Sequence, residues 1–546
     1  MNSSVSIENN KNSSEKKLFG GVFVLTISTV IVKVTGLLFK IPLIHYVGIE
    51  GMAYFLAAYH IYTLLFVISS TGLPVAVSIL VSEYSAKRNF ATAESVFKIS
   101  LLIFVLLGAA GSTVMFFGAY ELAQAIGMPD AYYSIRAIAP TLTFVCVSSA
   151  VRGYFQGKQS MMPTAVSQML ESFGKLVMGL LFALYALNMG YEPCICASYA
   201  IFGITAGVAL SMIYLVFCRL FRHHTIDDNI SKKEIRAKSI FKRLILLAAP
   251  ITISASIISF SSAVDTALIS NRLQNIGFTE QIASSLYSCY GNLAVPIYTL
   301  PLSFITPITL ALIPMLTSAV GTGDVLRAKK LYSSAIRLTA SVAIPASFGI
   351  CVFAYSILHL IYPSQIEGIT TAAPLLAVLA TSVFPSALIS ITTAVLQAYK
   401  KVSLPIISMF AGSLIKVVLA YTLVGTQFFN IYGAPLSTLA CNIIIVTLNL
   451  YFINKYTGNN EDVTQYFYRP LFCTAISVGV SALIYVCLFC STRNENICLL
   501  TAIIVTVILY GILSLSMGAL GKEDILLLPG GKKIFKTLHK LKLVKN

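Results

Sequence analysis

The hydrophobic positions of the chain fall into long apolar runs, separated by short polar breaks, between residues 18 and 519. Each run is close to the ~20 residues that an α-helix needs to cross a bilayer. Because lipid offers no partner to an unpaired backbone N–H or C=O, runs of this length predict helices. The expected fold class is an all-α polytopic membrane protein with fourteen transmembrane helices. The predicted spans are 18–46, 53–82, 95–120, 132–155, 163–187, 195–220, 241–270, 284–317, 332–361, 371–397, 404–425, 431–454, 467–491 and 497–519.

The positive charges of the polar breaks predict how these spans are oriented. If the N-terminus is cytoplasmic, most of the 38 Lys and Arg residues fall on inner segments, whereas the outer loops carry mainly Glu and Asp. Cytoplasmic loops of membrane proteins usually carry such an excess of Lys and Arg. The pattern therefore predicts a multi-pass protein of the bacterial plasma membrane with both termini cytoplasmic. The remaining basic residues are Lys33, Lys40, Arg136, Lys175, Arg272, Lys416 and Arg493.

The composition agrees with a membrane protein and argues against nucleic acid as a partner. The 546 residues are 57% hydrophobic and 11% charged, whereas soluble chains carry about a quarter charged residues. The net charge of +17 comes mostly from the inner segments, so topology and contact with anionic lipids explain it. The eleven Cys lie in or next to apolar runs, and the pair Cys487 and Cys490 has no second pair nearby, so no metal site is predicted.

Two stretches of the chain resemble each other and predict two pseudo-symmetric lobes of six helices. FQGKQSMMPTAVSQMLESFGK (155–175) matches LQAYKKVSLPIISMFAGSLIK (396–416), and in both the first Gln and the final Lys are nineteen residues apart. In transporters built from repeats, the substrate site lies between the repeats. The predicted parts are an N-terminal tail (1–17), an N-lobe (18–220), a linker (221–240), a C-lobe (241–456), two further helices (467–519) and a basic tail (520–546).

Several longer motifs, in order along nearly the whole chain, resemble the stage V sporulation protein B family. They include VKVTGLLFKIPLIHYVGIEGMAYF (32–55), VRGYFQGKQSMMPTAVSQMLESFGKL (151–176) and VDTALISNRLQNIG (264–277). That family belongs to the multidrug/oligosaccharidyl-lipid/polysaccharide exporter superfamily, beside the lipid II flippases. The resemblance implies a MATE-like fold of fourteen helices, in two lobes around a V-shaped cavity.

The same resemblance implies flipping of an undecaprenyl-pyrophosphate-linked sugar by alternating access. By this likeness, the segments 467–491 and 497–519 would form a groove for the lipid tail. The sequence departs from the lipid II flippases in its second and eighth helices, which lack the arginines of those relatives at the matching stretches. In the first helix, Lys33 and Lys40 stand where those relatives use arginine. The expected substrate is therefore a polyprenyl-pyrophosphate-linked glycan, with lipid II itself less well supported.

Lysines inside the spans are the main candidates for substrate binding. A charge at the bilayer centre costs roughly 2.5–3.5 kcal/mol, so it normally faces a cavity or a partner. Lys33 lies near the middle of the first span, and Lys175 and Lys416 are equivalent in the repeat. We predict that these three, with Lys40, line the cavity and bind the pyrophosphate as point charges. The alternative for each lysine is a local pair or a side chain that reaches the interface.

Two pairs of residues are candidates for gates. Asp265 and Lys40 occupy equivalent positions of the seventh and first spans, so an ion pair between them would close an outer gate. Arg272 is expected to compete for the Asp265 carboxylate and to join the substrate-binding group. The alternative for Asp265 is a hydrated residue at a helix end. Arg152 and Gln156, one turn apart at the inner end of the fourth span, are candidates for an inner gate, with an anchor at the positive inner face as the alternative.

Glu171 precedes Lys175 by one helical turn, a spacing at which a carboxylate and an ammonium can pair. In the repeat the lysine has a counterpart, Lys416, whereas Glu171 falls against Gly412 or Ala411. We therefore interpret Glu171 as a residue that tunes Lys175, or as a cation or proton site on one lobe only, rather than as half of a structural salt bridge.

Three functions stay open at this point. The first is a flippase for a lipid-linked glycan, acting as a monomer. The second is a cation-coupled multidrug exporter of the same superfamily, although cationic drugs would favour acidic side chains over the lysines found here. The third is a membrane glycan polymerase or transferase, for which the short outer loops lack paired acids. Because the sequence shows no nucleotide-binding loop or metal cluster, neither enzyme activity nor a cofactor is expected. Na⁺ or H⁺ coupling or the membrane potential would then drive transport.

Overall fold

The computed structural model describes residues 2–70, 72–87, 89–158, 160–221, 237–457 and 466–519. For residues 2–27 and for some later helical positions, Lys33 among them, it describes the backbone alone. Most of the predicted linker and the whole predicted basic tail lie outside the described residues.

The described residues form eighteen α-helices and no strand, with one π-helical segment at Cys289–Ala294 and one 3-10 turn at Asn430–Tyr432. The helices are α1 (Asn2–Ser70), α2 (Gly72–Ala86), α3 (Phe90–Phe117), α4 (Ala119–Ala125), α5 (Ala131–Gly157), α6 (Met162–Asn188), α7 (Pro193–Phe221), α8 (Ala237–Asn275), α9 (Glu280–Ser288), α10 (Val295–Gly321), α11 (Val325–Val352), α12 (Ala354–Ile361), α13 (Ile366–Ala380), α14 (Val383–Ala398), α15 (Ser403–Val424), α16 (Gly433–Thr457), α17 (Tyr468–Thr492) and α18 (Glu495–Ser516).

Ten helical stretches of the described chain are long and apolar enough to cross a membrane. The pair α13 and α14, bent by 42°, would make an eleventh. Each predicted span overlaps one or more of the helices, whereas the count of fourteen stays a prediction. The chain is therefore an all-α, multi-pass membrane protein, as its apolar runs predicted.

The first two predicted spans meet at Gly48, inside α1. Gly48 has φ of 74° and ψ of 176°, a conformation that glycine adopts easily and other residues rarely adopt. This break lies in the gap that the apolar pattern left between residues 46 and 53. Helix α1 thus consists of two helical segments that change direction at one glycine.

Polar side chains and prolines begin several of the helices. The side-chain oxygens of Asn89, Asp324 and Asn494 accept the backbone N–H three residues later, at 3.1, 3.0 and 3.3 Å. Pro163 and Pro193 lie in the first turns of α6 and α7, where a missing N–H removes no helical hydrogen bond. The short polar breaks therefore determine where the helices begin as well as where the apolar runs end.

The chain divides into two compact units, Met1–Asn271 and Arg272–Asn546. The division falls near the end of α8, and the predicted linker lies largely outside the described residues. The predicted lobe limits, 18–220 and 241–456, therefore stay predictions.

The internal repeat is visible in the helix boundaries of the two units. Four residues join α5 to α6, and four residues join α14 to α15. Lys175 is the fourteenth residue of α6, and Lys416 is the fourteenth residue of α15. The two lysines therefore occupy the same depth in equivalent helices.

Helices α6 and α7 pack against each other at glycines. A methyl group on Gly174 would lie 2.6 Å from the Cα of Gly207, and one on Gly203 would lie 2.4 Å from the Cα of Gly179. Small residues of this kind let membrane helices approach until their backbones touch. A methyl group on Gly207 would also lie 2.6 Å from the backbone nitrogen of Lys175. The glycine contact thus fixes the backbone of α6 at the lysine.

Candidate functional site

The ammonium group of Lys175 lies against two aromatic rings of α1. Its Nζ is 5.2 Å from the centroid of the Phe39 ring and 5.0 Å from that of the Tyr59 ring. Among the described residues it makes no ion pair. A ring face attracts a cation by about 0.5–2 kcal/mol but carries no net charge. The positive charge of Lys175 is therefore held in place without being cancelled.

Both rings belong to a row of aromatic side chains, which we call the aromatic ladder. Its members are Phe39, Phe55, Tyr59, Tyr62 and Phe66, and successive ring centroids are 6.0, 6.1, 5.9 and 5.8 Å apart. The last four rings recur every three or four residues, so they share one face of the second segment of α1. The ladder keeps Tyr59 beside the lysine because each ring is packed between its neighbours.

Glu171 is bound by Arg152 of α5 and not by Lys175. The Arg152 Nη2 lies 2.8 Å from Glu171 Oε2 and 3.1 Å from Ser211 Oγ, and the Nε donates to Ser167 Oγ at 2.9 Å. The side chains of Arg152 and Glu171 are 15% and 33% exposed, so solvent screens this pair less than an open surface pair. The structure thus gives Glu171 a partner that its spacing on α6 did not predict. It also gives Arg152 a role in this cluster, while the predicted role of Arg152 in an inner gate stays a prediction.

Lys40 of α1 adds a second positive charge to the neighbourhood of Lys175. Its side chain is half-buried, and it directly follows Phe39, whose ring centroid lies 5.2 Å from the Lys175 ammonium. Lys40 makes no ion pair with any residue that the structure describes. Asp265 of α8 is buried, with 9% of its surface exposed, and the predicted Asp265–Lys40 gate stays a prediction. The Lys33 side chain lies outside the described residues.

Arg272 is engaged by α15. Its Nε donates to the backbone oxygen of Tyr421 at 3.1 Å, and its guanidinium stacks 4.0 Å from the centroid of the Tyr421 ring. Gly425 leaves the space for it, since a methyl group there would lie 2.1 Å from the Arg272 Nη2. These contacts anchor α15, and the predicted contact of Arg272 with substrate stays a prediction. Gln156 is half-buried near the end of α5, one turn from Arg152.

The second unit contains Lys416 and a network of uncharged polar groups. The lysine, on α15, is half-buried. The Tyr298 hydroxyl of α10 is hydrogen-bonded to the Ser386 hydroxyl of α14. The amide of Asn442, on α16, donates to Ser386 Oγ at 2.7 Å and to the Tyr298 oxygen at 3.3 Å. Three helices therefore bring hydroxyl and amide groups together in this network.

The pattern of charges along the sequence did not point to the uncharged members of either cluster, chiefly Tyr59, Tyr298 and Asn442. A signal for the second cluster was present, because Asn442 and Asn449 stand seven residues apart in the apolar run LACNIIIVTLNL (439–450). An amide in lipid must find a partner, and Asn449 donates to Thr392 Oγ1 at 3.0 Å. An amide within an apolar run therefore marks a polar contact between helices, as a charge does. No comparable signal marked the ring of Tyr59, since tyrosines are common along this chain.

The arrangement suits an anion better than a metal ion. Within the described residues, no group of three or more His, Cys, Asp or Glu side chains is close enough to hold a metal. Lys40 and Lys175 add two positive charges to the first unit, while the Glu171 carboxylate is neutralised by Arg152. The all-α membrane fold and these half-buried lysines define the class of the protein as a multi-pass membrane transporter.

Comparisons with known proteins agree with this class and give the family. Residues 18–320 match the family model for polysaccharide biosynthesis proteins, and residues 289–422 match the MatE family model. Since the first match covers more than half of the chain, the chain belongs to the polysaccharide biosynthesis protein family.

Individual relatives support the same conclusion. The chain is 26% identical to "Lipid II flippase MurJ" of Bacillus subtilis (strain 168), over 81% of this chain and 83% of that protein. It is 25% identical to "Stage V sporulation protein B" of the same organism, over 82% of this chain and 85% of that protein. A solved structure of lipid II flippase MurJ, in an inward closed conformation, shares the fold with a TM-score of 0.69 at 16% identity, covering 90% of this chain and 98% of that one.

These matches confirm the resemblance to the sporulation protein and flippase family, and they confirm the MATE-like fold. The similar proteins are flippases and transporters rather than enzymes. The chain is accordingly a transport protein of the membrane.

Proposed function

We propose that the chain moves a polyprenyl-pyrophosphate-linked saccharide, a lipid II-like cell-wall precursor, from the inner to the outer leaflet of the plasma membrane by alternating access. The observation that carries the proposal is the pair Lys175 and Lys416. Both lysines stand at the fourteenth position of equivalent helices, and the charge of Lys175 is held by rings rather than cancelled by a carboxylate. The relative named as a lipid II flippase supports the same substrate class.

The chemistry of the headgroup fits these side chains. A pyrophosphate diester carries about two negative charges, and lysine ammonium groups bind phosphate oxygens as compact point charges. Lys40 and Lys175 in the first unit and Lys416 in the second would supply the charge. Tyr298 and Asn442 would offer hydroxyl and amide groups to the saccharide. We further propose that α17 and α18 hold the prenyl tail, and that Na⁺ or H⁺ coupling or the membrane potential drives the transport.

Complementation tests the proposal directly. In a bacterium depleted of its lipid II flippase, the wild-type chain should restore growth and remove the accumulated lipid-linked precursor. Lys175→Gln and Lys416→Gln should each insert in the membrane at wild-type level and leave the precursor to accumulate. Arg136→Gln is the matched control, because Arg136 is also a cation against an aromatic ring, with its guanidinium 4.4 Å from the centroid of the Phe116 ring. Full activity of both lysine variants would refute the binding site.

A multidrug exporter is the second candidate, because residues 289–422 match the MatE family model. A cationic drug would be repelled by the uncompensated charge of Lys175 and by Lys40. Cells that express the chain should therefore keep a cationic dye such as ethidium as long as cells without it. Faster dye loss that is abolished by Lys416→Gln would favour the exporter over the flippase.

A further inference from the structure

Glu171 and Lys175 are spaced to pair with each other, and yet they do not. A glutamate four residues before a lysine is the favourable order for an ion pair on a helix. In this protein the Glu171 carboxylate lies 2.8 Å from Arg152 instead, and Lys175 lies between two rings. Something must keep the carboxylate away from the ammonium one turn further along the same helix.

The guanidinium of Arg152 is held in a fixed orientation by two serines. Ser167 and Ser211 are fully buried, and their hydroxyls accept from the Arg152 Nε and Nη2 at 2.9 and 3.1 Å. Each hydroxyl donates its own hydrogen to a backbone oxygen. Ser167 donates to the oxygen of Thr164 at 2.7 Å, and Ser211 donates to the oxygen of Ser167 at 2.9 Å. The serines therefore face the guanidinium as acceptors, a set that suits its planar array of donors. The arginine lies on α5, and the two serines lie on α6 and α7. The orientation of the guanidinium that binds Glu171 is therefore set by the packing of three helices.

The internal repeat offers a natural comparison. In the common register of α5–α6 and α14–α15, the positions of Arg152 and Glu171 correspond to Thr393 and Gly412. The second unit thus lacks both the arginine and the glutamate while it keeps the lysine, Lys416. At Gly412 a methyl group would lie 3.1 Å from the backbone oxygen of Cys441, so this position has little room for a side chain. The arginine and the glutamate are both present in the first repeat and both absent from the second, as expected of residues that act on each other.

We propose that Arg152 is a positioning residue that withholds Glu171 from Lys175 and so keeps the lysine available to the anionic headgroup. This inference rests on the proposed function, since it concerns the same lysine. Arg152 itself need not touch the substrate. Its effect passes through Glu171: without the guanidinium, the partly buried carboxylate turns to the ammonium of Lys175, one helical turn further along α6. The lysine would then be neutralised and the anion site would lose a charge.

Binding of undecaprenyl pyrophosphate to the purified full-length protein in detergent tests this inference. Arg152→Gln should weaken binding by roughly tenfold or more, the loss expected when one charge of a partly buried site is neutralised. The double variant Arg152→Gln with Glu171→Gln should bind within about threefold of wild type, because no carboxylate is left to neutralise Lys175. A purely structural role of Arg152 would not be rescued by removing a second member of the same cluster.

The ion pair of Arg219 and Glu94 is a matched control. The Arg219 Nη2 lies 2.5 and 2.6 Å from the two carboxylate oxygens of Glu94. The two side chains are 22% and 26% exposed, similar to those of Arg152 and Glu171. Arg219→Gln should leave undecaprenyl pyrophosphate binding unchanged. If Arg152→Gln does not fold, the variant Ser167→Ala with Ser211→Ala removes the acceptors and keeps the arginine. It should weaken binding, and Glu171→Gln should again restore it.

The outcomes separate this inference from the proposed function. Full binding by Lys175→Gln would refute the role of this lysine, whereas failure of the wild-type chain to clear the lipid-linked precursor would refute the proposed function. If Lys175→Gln binds weakly but the double variant stays as weak as Arg152→Gln, the lysine site stands and the positioning role of Arg152 is refuted.

Discussion

At the scale of single residues, the partner of a membrane lysine decides what the lysine can do. Phe39 and Tyr59 lie within 5.2 and 5.0 Å of the Lys175 ammonium, and no carboxylate among the described residues pairs with it. A ring attracts the ammonium through its quadrupole and leaves the net charge intact, whereas a carboxylate would cancel it. The rings thus stabilise the lysine in a state that can still bind an anion.

Tyr59→Leu tests this stabilisation, because leucine keeps an apolar side chain and removes the ring. We expect the variant to lose about 0.5–2 kcal/mol of unfolding free energy in detergent, the usual size of a cation–π contact. Tyr59→Phe keeps the ring and should unfold as the wild type does. In a Lys175→Met background, Tyr59→Leu should lower the free energy of unfolding by less, because no ammonium remains beside the ring. An equal loss in both backgrounds would show that the ring acts through packing alone.

At the scale of the helices, the close contact of α6 and α7 determines where the charged face of α6 lies. A methyl group on Gly207 would meet only backbone atoms, namely the nitrogen of Lys175 at 2.6 Å and the carbonyl carbon of Gly174 at 2.8 Å. Backbone atoms of a helix cannot move aside as a side chain can, so the added methyl group would push α6 and α7 apart. Gly207→Ala should therefore destabilise the protein by about 1–3 kcal/mol and weaken transport by displacing Lys175.

Thermal unfolding and precursor clearance measure the two effects of Gly207→Ala. Gly349→Ala is the control, since Gly349 lies within α11 and a methyl group there has nothing within 4 Å. This variant should be neutral or slightly stabilised, because alanine favours helices over glycine. Equal stability of the two variants would contradict the close packing of α6 and α7.

A second helix contact ties the C-terminal hairpin to the short helix α12. Ser356 donates to Glu495 Oε1 at 3.1 Å, and the His359 Nδ1 lies 3.0 Å from Glu495 Oε2, out of line for a hydrogen bond. Glu495→Gln removes the charge that holds this contact, so we expect faster hydrogen exchange in the first turns of α18. Glu367→Gln, at an exposed position in the first turn of α13, should leave that exchange unchanged. Unaltered exchange in the Glu495 variant would show that apolar packing alone holds the hairpin.

At the scale of the whole molecule, the distribution of Lys and Arg predicts that both termini are cytoplasmic. Alkaline phosphatase fused to either terminus should therefore be inactive, whereas a fluorescent protein at the same site should fold and emit. Phosphatase inserted next to Glu192, in a predicted outer loop, should be active. Activity at one terminus only would imply an odd number of spans, which contradicts the predicted fourteen.

Much of the fold followed from the apolar runs, because the bilayer leaves a long apolar segment few structures other than a helix. Each predicted span overlaps helix, and the break at Gly48 falls in a predicted gap. The bend of 42° between α13 and α14 was not predicted. Hydropathy reports the length and burial of a segment, and it contains little about the direction that a chain takes within the apolar layer.

By itself, the sequence determined that this is a multi-pass membrane protein with a pair of repeat-related lysines, Lys175 and Lys416. Only the tertiary structure decided which charges cancel. Arg152 and Glu171 are nineteen residues apart on different helices, and they meet because α5, α6 and α7 pack around two buried serines. An ion pair forms only when nitrogen and oxygen come within about 4 Å, a distance set by helix packing and not by spacing along the chain.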